Sequence, residues 1–380
     1  MRILFDHQVF SWQSYGGVSR YFVEQMRGLN ARGHEALLPE SFFSENVYLR
    51  QFPAYHRKSL TSFAFKGKKM LQNWWGRRAS RHALRHQRPD VFHPTYFEPY
   101  FLPVLKKTGI PFVLTVHDMI HEIYGHGSRS FFSLDRNVIA NKRLLAEKAN
   151  AIIAVSENTR RDLLRFCPDT DPAKIQVIHH GNAMFRPAGS TKPPPGNYLL
   201  FVGQRKAYKH FTAMVEQLAG LLRTEKELEL WCVGGSLFDT AEQEQFTRLG
   251  IRSKVCYKRV ASDDALADLY AGARCFIFPS QYEGFGIPVL EAFGCGCPAV
   301  LNRRSSLPEV GGDAALYFDE EAPESLEAAV RRVLDDTAFR TELVQRGYAR
   351  AKDFTWEKSV ARHISVYESL TKNTSLAKNA

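Results

Sequence analysis

Two glutamates flank a glycine-rich loop in the second half of the chain. The apolar run Cys275–Phe278 predicts a buried strand, and the loop Glu283-Gly-Phe-Gly286 follows it. Pro288 suits the first turn of a helix, which Gly294 and Gly296 would end. A strand, a glycine loop and a helix N-terminus together present backbone N–H groups to an anion. The stretch therefore predicts a phosphate-binding corner.

The two carboxylates suit a different chemical group. Glu283 lies on the loop and Glu291 in the predicted first turn of the helix. Carboxylates accept strong hydrogen bonds from hydroxyls, whereas they do not bind phosphate directly. A site for a nucleotide sugar needs both kinds of group: backbone amides that bind its phosphates and carboxylates that bind its hydroxyls. A structural strand–helix turn with two surface glutamates is the alternative.

A second loop in the same half carries two cations. The run Tyr198–Val202 predicts a strand that Gly203 ends, and Arg205 and Lys209 follow before a helix. The planar fork of an arginine and the point charge of a lysine can together neutralise a pyrophosphate. A solvated basic loop is the alternative.

Two loops in the first half also hold candidate residues. The pair Gly16-Gly17 precedes a helix predicted over Val18–Arg32, so its amides could bind an anion, although a tight turn explains it equally well. His117 and Asp118 follow a strand predicted over Phe112–Val116, where they could contact a ligand or form a structural pair.

Strand-like and helix-like segments alternate throughout, which predicts an α/β chain with parallel sheets and helices on both faces. The predicted strands are Ile3–Phe5, Glu35–Leu38, Val91–His93, Phe112–Val116, Ala151–Val155, Lys174–Ile178, Tyr198–Val202, Leu228–Val233, Lys254–Tyr257, Cys275–Pro279, Ala299–Leu301 and Ala314–Phe318. The Pro/Gly-rich stretch 186–196 predicts a linker between two domains. Because such sheets bind ligands at the carboxyl ends of their strands, both domains should contribute loops to one cleft.

These motifs resemble the retaining glycosyltransferases of family 4, the group 1 glycosyltransferases. The resemblance lies in Glu-x7-Glu with Ala-Phe-Gly-Cys-Gly-Cys-Pro298, in Gly-x-Arg-x-x-Tyr-Lys209, and in Thr-Val-His-Asp118. It implies the GT-B fold, with two doubly wound Rossmann-like domains facing a central cleft. The acceptor-side domain would span 1–185, the linker 186–196 and the nucleotide-sugar-binding domain 197–353. Residues 354–380 would form a helix that packs back on the first domain.

The resemblance also implies roles for the candidate residues. Glu291 would hold ribose hydroxyls, Arg205 and Lys209 the pyrophosphate, Glu283 hydroxyls of the transferred sugar, and His117 would reach that sugar from the other domain. The catalytic set is thus His117, Glu283, Arg205 and Lys209. The donor-binding set is Gly16, Gly17, Gly203, Arg205, Lys209, Glu283, Gly284, Phe285, Gly286 and Glu291.

The function that the resemblance implies is transfer of a hexose, with mannose favoured, from GDP-mannose or a UDP-sugar. The acceptor would be a glycan or a polyprenyl-linked glycan in bacterial-type polysaccharide assembly. No cofactor or metal is expected, since Asp169-Thr-Asp171 lies between two prolines and predicts a turn. A nucleotide-sugar epimerase on the same fold remains an alternative. A non-catalytic nucleic-acid binder is a second, suggested only by the net charge of +11.

The segment 50–88 is basic and aromatic. From Asn46 to Pro89 there is no Asp or Glu, and Trp74 and Trp75 lie among lysines and arginines. This composition is typical of helices that lie on anionic lipid, so we predict a contact with an anionic membrane surface rather than with nucleic acid. A solvated helix with both tryptophans in the core is the alternative. No signal peptide or membrane-spanning run is evident, which predicts a protein free in the cytoplasm or peripheral on the inner face of the plasma membrane.

Overall fold

The computed structural model describes residues 1–40, 42–50, 67–125, 132–186, 196–205, 207–322 and 324–379. The chain divides into two compact units. Unit 1 contains Met1–His180 and Trp356–Ala380, and unit 2 contains Gly181–Thr355. Each unit is a parallel sheet covered by helices, so the predicted α/β class with two Rossmann-like units is confirmed.

The described part of unit 1 contains six short parallel strands in two sets of three. They are β1 (Arg2–Phe5), β2 (Glu35–Leu37), β3 (Val91–His93), β4 (Val113–Val116), β5 (Ala151–Ala154) and β6 (Ile175–Val177). The sets have the orders β2-β1-β3 and β4-β5-β6, and a parallel bridge between Phe92 and Phe112 joins β3 to the segment that enters β4. Side chains of β1, such as Ile3 and Phe5, are buried beneath the helices because the strand has apolar residues on both faces.

Eight helices precede the end of β6 in the described part of unit 1. They are α1 (Gln8–Trp12), α2 (Gly17–Ala31), α3 (Val47–Arg50), α4 (Lys68–His86), α5 (Leu102–Thr108), α6 (Ile120–Tyr124), α7 (Phe132–Lys148) and α8 (Glu157–Phe166). Helix α2 buries Tyr21, Phe22, Met26 and Leu29, which recur at helical spacing and form one apolar face.

Unit 2 contains one six-stranded parallel sheet in the order β12-β11-β10-β7-β8-β9. Its strands are β7 (Tyr198–Val202), β8 (Glu229–Val233), β9 (Val255–Lys258), β10 (Cys275–Phe278), β11 (Ala299–Asn302) and β12 (Leu316–Phe318). Its helices are α9 (Phe211–Thr224), α10 (Thr240–Arg248), α11 (Asp263–Gly272), α12 (Ile287–Gly294), α13 (Leu307–Gly311), α14 (Glu324–Asp335) and α15 (Thr337–Ala351). All twelve strands lie where the sequence predicted them, with ends shifted by a residue or two.

The final helix, α16 (Trp356–Asn379), packs in unit 1 against α2. Gln25 Nε2 donates to Ser359 Oγ at 3.1 Å, and a Cβ on Gly28 would lie 2.5 Å from the side chain of Val360. The two helices therefore approach closely where α2 has a glycine. None of the described helices is both long and apolar enough to span a bilayer.

The unit boundary lies after His180, not after residue 185 as the sequence suggested. The Asn182 side-chain amide donates to Leu290 O at 3.0 Å, and the Arg186 amide donates to Gly294 O at 2.8 Å. These bonds attach the segment after His180 to α12 in unit 2. Residues 187–195 of the predicted linker lie outside the described residues.

Candidate active site

The predicted glycine corner is present between β10 and α12. Gly286 precedes the helix with a φ of 106°, a left-handed conformation that favours glycine, and Pro288 lies in the first turn. A Cβ on Gly286 would also lie only 3.1 Å from the side chain of Leu307. We had predicted Glu291 in the first turn, and this was wrong. The helix begins at Ile287, and its first turn contains no acidic residue.

Two serines that follow β11 hold the loop in place. Ser305 Oγ donates to Glu283 O at 2.6 Å, and Ser306 Oγ lies 2.8 Å from Phe285 O. The Glu283 amide in turn donates to Ser305 Oγ at 3.1 Å. Neither serine was among the residues predicted from the sequence. The signal that could have found them is their position just beyond a predicted parallel strand, at the edge of the sheet where ligands bind.

The side chains of Lys209 and Glu283 form an ion pair, although they lie on loops after different strands. The Lys209 ammonium also lies 5.3 Å from the centre of the Phe278 ring. The Gln281 amide donates to Tyr208 O at 2.9 Å, which joins the two loops through their backbones. The structure thus brings together the predicted cation for a phosphate and the predicted carboxylate for a sugar hydroxyl.

Arg205 has a different setting from the one we predicted. Its guanidinium pairs with Glu242 and donates to Gly234 O at 3.1 Å and to Ser236 O at 2.7 Å. The side chain is only 6% exposed. Because Nε and both terminal nitrogens already donate to protein acceptors, Arg205 connects the loop after β8 to the start of α10.

Glu291 lies on α12 and is mostly buried. Tyr270, in the last turn of α11, donates from its hydroxyl to Glu291 Oε2 at 3.2 Å. Burial, together with the charge of Glu291, raises the pKa of Tyr270 well above its ordinary value, so the phenol stays protonated and donates. Tyr270 thus orients the carboxylate that was predicted to hold ribose hydroxyls. Tyr270 itself was not among the residues predicted from the sequence.

His117 follows β4 in unit 1, as predicted. Its Nε2 is buried and has no hydrogen-bond partner among the described residues. The Tyr21 ring lies edge-on to it, with ring centres 4.9 Å apart. Burial lowers the pKa of His117 to about 4, so the imidazole is neutral at physiological pH. Asp118 does not pair with it; its Oδ1 accepts from the Ile120 amide at 3.1 Å.

The remaining sequence candidates are helix or turn positions. Gly17 begins α2, and Gly16 before it is extended. A Cβ on Gly16 would lie 2.5 Å from Gln13 Oε1, which accepts from the Ser19 amide at 3.2 Å. Asp171 Oδ1 accepts from the Ala173 amide at 2.9 Å, which confirms the predicted turn. Within the described ranges, no three His, Cys, Asp or Glu side chains are grouped as metal ligands.

Two family models together match most of the chain. Residues 15–182 match the model described as "Glycosyltransferase Family 4", and residues 185–350 match "Glycosyl transferases group 1". The chain belongs to the group 1 glycosyltransferases of family 4. The predicted family and the predicted enzyme class are therefore confirmed.

Named relatives of this glycosyltransferase include enzymes of polysaccharide synthesis. It is 26% identical to O-antigen chain mannosyltransferase B of Escherichia coli, over 97% of this chain and 100% of the relative. Sucrose-phosphate synthase from Thermosynechococcus elongatus shares its fold, with a TM-score of 0.78, 18% identity and coverage of 98% of this chain and 99% of that chain. HepE from Anabaena, solved with UDP and glucose, has a TM-score of 0.71 and 17% identity, over 96% of this chain and 99% of that chain.

These solved structures confirm the GT-B fold of the glycosyltransferase. The family models and relatives named above support neither the epimerase nor the nucleic-acid binder. The individual roles given to His117, Arg205, Lys209, Glu283 and Glu291 stay predictions.

Proposed function

We propose that this glycosyltransferase transfers mannose from GDP-mannose to a glycan acceptor in bacterial-type polysaccharide assembly, with retention of anomeric configuration. A UDP-sugar is the second candidate donor. The observation that carries the proposal is the Lys209–Glu283 pair beside the N-terminus of α12. The choice of mannose is supported by the Escherichia coli mannosyltransferase that aligns over its full length.

The proposed chemistry acts on the bond between the anomeric carbon and the donor phosphate. This bond breaks and its electron pair leaves with the nucleoside diphosphate. The acceptor oxygen attacks from the same face, and its proton passes to the departing phosphate. Lys209 and the amides at the start of α12 would stabilise the charge that grows on the phosphate, so they would act most strongly in the transition state.

The other candidates would bind and orient the donor. Glu291, held by Tyr270, would accept hydrogen bonds from the ribose hydroxyls. When Lys209 binds a donor phosphate, its ion pair with Glu283 would break, and Glu283 would accept from a sugar hydroxyl instead. His117 is neutral, so in a contact with the transferred sugar it would act as a hydrogen-bond partner and not as a general acid.

A thermal-shift screen of GDP-mannose, UDP-glucose, UDP-N-acetylglucosamine, GDP and UDP tests the donor. A ligand that binds only the native state raises Tm, so GDP-mannose should give the largest increase. Incubation with donor, with and without a mannose-containing oligosaccharide, should then yield an α-linked product only when acceptor is present. A larger Tm increase with a UDP-sugar would make that UDP-sugar the proposed donor. Conversion of the donor sugar to another sugar in the absence of acceptor would indicate an epimerase.

We also propose that the basic and aromatic face of α4 contacts an anionic membrane surface. Trp74 and Trp75 are 52% and 42% exposed, so neither is a core residue as the alternative required. Met70 is 76% exposed on the same helix, and the Arg78 guanidinium lies 5.3 Å from the centre of the Trp74 ring. Exposed aromatic side chains beside cations favour the headgroup layer of a bilayer. Residues 51–66 of the predicted segment lie outside the described residues.

Liposome flotation tests this contact. The wild type should float with vesicles that contain anionic phosphatidylglycerol at low salt, and less at high salt. Replacing Lys69 and Arg78 with Glu should abolish flotation, whereas the same change at the exposed Lys106 and Lys107 on α5 should not. A wild type that stays off anionic vesicles at low salt would point to a soluble acceptor.

A further inference from the structure

A pocket of about 670 Å³ lies in unit 1 and is lined by residues of that unit. Its walls come from Trp12, from residues 96–100 and from the inner sides of α4 and α7. Trp12 and residues 96–100 follow β1 and β3, at the carboxyl edge of the sheet where α/β folds bind ligands. The volume is within the range of about 300–1,000 Å³ that is typical of small-molecule sites.

One wall of the pocket is aromatic. The rings of Trp12 and Tyr96 lie 4.8 Å apart at an interplanar angle of 69°. Trp12 remains 36% exposed although it is one of the largest apolar side chains of the unit. Rigid aromatic faces with polar edges suit ligands that have both apolar and polar surfaces, and the C–H face of a pyranose ring is such a surface.

Another part of the pocket lining is polar and held in position. Glu98 accepts from Asn73 Nδ2 at 3.0 Å and from Arg77 Nε at 2.8 Å, while its own amide donates to Gln8 Oε1 at 2.8 Å. Each carboxylate oxygen retains a lone pair for a further donor, such as a hydroxyl. Asn141, on α7, makes no side-chain hydrogen bond to any residue in the described part of the chain, so its amide is available to a ligand.

The pocket adjoins the segment that carries His117. Lys142 follows Asn141 on α7 and is fully buried. Its ammonium lies 5.0 Å from the centre of the Phe97 ring in the pocket wall, and it donates to Asp118 O at 3.0 Å and to Glu122 Oε2 at 2.8 Å. One buried ammonium therefore contacts both the pocket wall and the residue after His117.

We propose that this pocket binds a sugar residue of the acceptor glycan, stacked on Trp12 and hydrogen-bonded to Glu98 and Asn141. The proposal rests on the proposed function for the existence of a glycan acceptor. An uncharged ligand is favoured because Glu98 carries a negative charge and already neutralises Arg77. Arg77 binds Glu98, and Arg81 Nε donates to Tyr100 O at 3.2 Å. A phosphate would also face the negative charge of Glu98.

Saturation-transfer NMR with α-linked mannotriose, together with steady-state kinetics on the same oligosaccharide, tests the pocket. Trp12→Ala and Asn141→Ala should each raise the KM for mannotriose about tenfold, as expected for loss of one aromatic or amide contact. Trp12→Phe should retain most of the affinity. Phe185→Ala removes a more exposed aromatic residue in unit 2 and should leave both measurements unchanged. Hydrolysis of the donor without acceptor should stay within about twofold of wild type in the pocket variants.

Three results would overturn the proposal. If Trp12→Ala binds mannotriose with wild-type affinity, the aromatic wall is not part of a sugar site. Mannotriose that gives no saturation transfer, while GDP-mannose still raises Tm, would refute the pocket and leave the proposed function standing. Loss of the mannotriose signal on addition of GDP alone would assign the pocket to the nucleotide. If no nucleotide sugar raises Tm, the proposed function fails, whereas the saturation-transfer result still decides whether the pocket binds a glycan.

Discussion

Acidification from pH 8 to pH 5 should weaken unit 1 through four histidines. His93, His180 and His363 are buried, and His117 is half-buried with its Nε2 enclosed. His93 contacts the Tyr367 hydroxyl at 2.7 Å, and His363 contacts the Tyr21 hydroxyl at 2.6 Å. Burial lowers the pKa of His117 and of His363 to about 4 and places the pKa of His93 and His180 well below 6.5. All four are therefore neutral in the native state at neutral pH.

The sign of the effect follows from proton uptake on unfolding. In the unfolded chain these imidazoles have a pKa of about 6.5, so that state binds protons first as the pH falls. The stabilisation by the neutral histidines is complete above about pH 6.5 and is lost as the pH falls towards 4. At pH 5, His117 and His363 should each account for a loss of about 2 kcal/mol. This is a large part of a typical unfolding free energy of about 5–15 kcal/mol.

Urea unfolding between pH 8 and pH 5, followed by tryptophan fluorescence, measures the effect. Near pH 5.5, the slope of the unfolding free energy against pH should correspond to the uptake on unfolding of about one proton for each of the four histidines. His363→Gln should reduce this uptake by about one proton, whatever its effect on stability at pH 8. NMR signals of His117 and His363 that titrate near pH 6.5 in the folded protein would refute the reasoning.

Four further predictions concern the donor site and its chemistry. Lys209→Ala should lower kcat/KM by about 100-fold with little change in Tm, because it removes preorganised charge from a polar loop, and steady-state kinetics against Lys209→Arg would check it. Arg205→Ala should instead destabilise unit 2 by about 3 kcal/mol, because Glu242 loses its buried partner. A variant with unchanged Tm and lost activity would indicate that Arg205 binds the pyrophosphate. Glu291→Ala should raise the donor KM about tenfold and change kcat little, and Tyr270→Phe should do the same more weakly, as separate donor titrations would show. Transfer should persist in excess EDTA; loss that Mg²⁺ restores would contradict a mechanism that relies on protein cations.

The strands could be predicted because parallel strands buried on both faces are short apolar runs. Cys275–Phe278 and Tyr198–Val202 are such runs, and both were placed correctly to within a residue. The order of the strands could not be predicted, since neighbours in the sheet such as β10 and β7 are separated by β8 and β9 in the sequence. Both loops follow the carboxyl ends of these strands, which is the edge of a parallel sheet where ligands bind. The Lys209–Glu283 pair is the result.

The sequence did not show partners that are distant along the chain. The role of Arg205 as a phosphate ligand stays a prediction, but its acceptor Glu242, 37 residues later, lies on a helix with no other sign of a role. Tyr270 likewise had the pattern of a core residue and gave no sign that its hydroxyl meets Glu291. The position of Glu291 beyond the first turn depended on where the helix begins, which is the least predictable feature of a short helix.

The attachment of α16 to unit 1 has a consequence for synthesis on the ribosome. Residues that complete this unit, such as Tyr367 and Val360, are translated only after the whole of unit 2. During translation the nascent chain must hold β1–β6 and α2 with an uncovered apolar face while unit 2 can already fold. A chain that stalled before residue 356 would expose that face to chaperones and proteases, although every strand of unit 1 had been made.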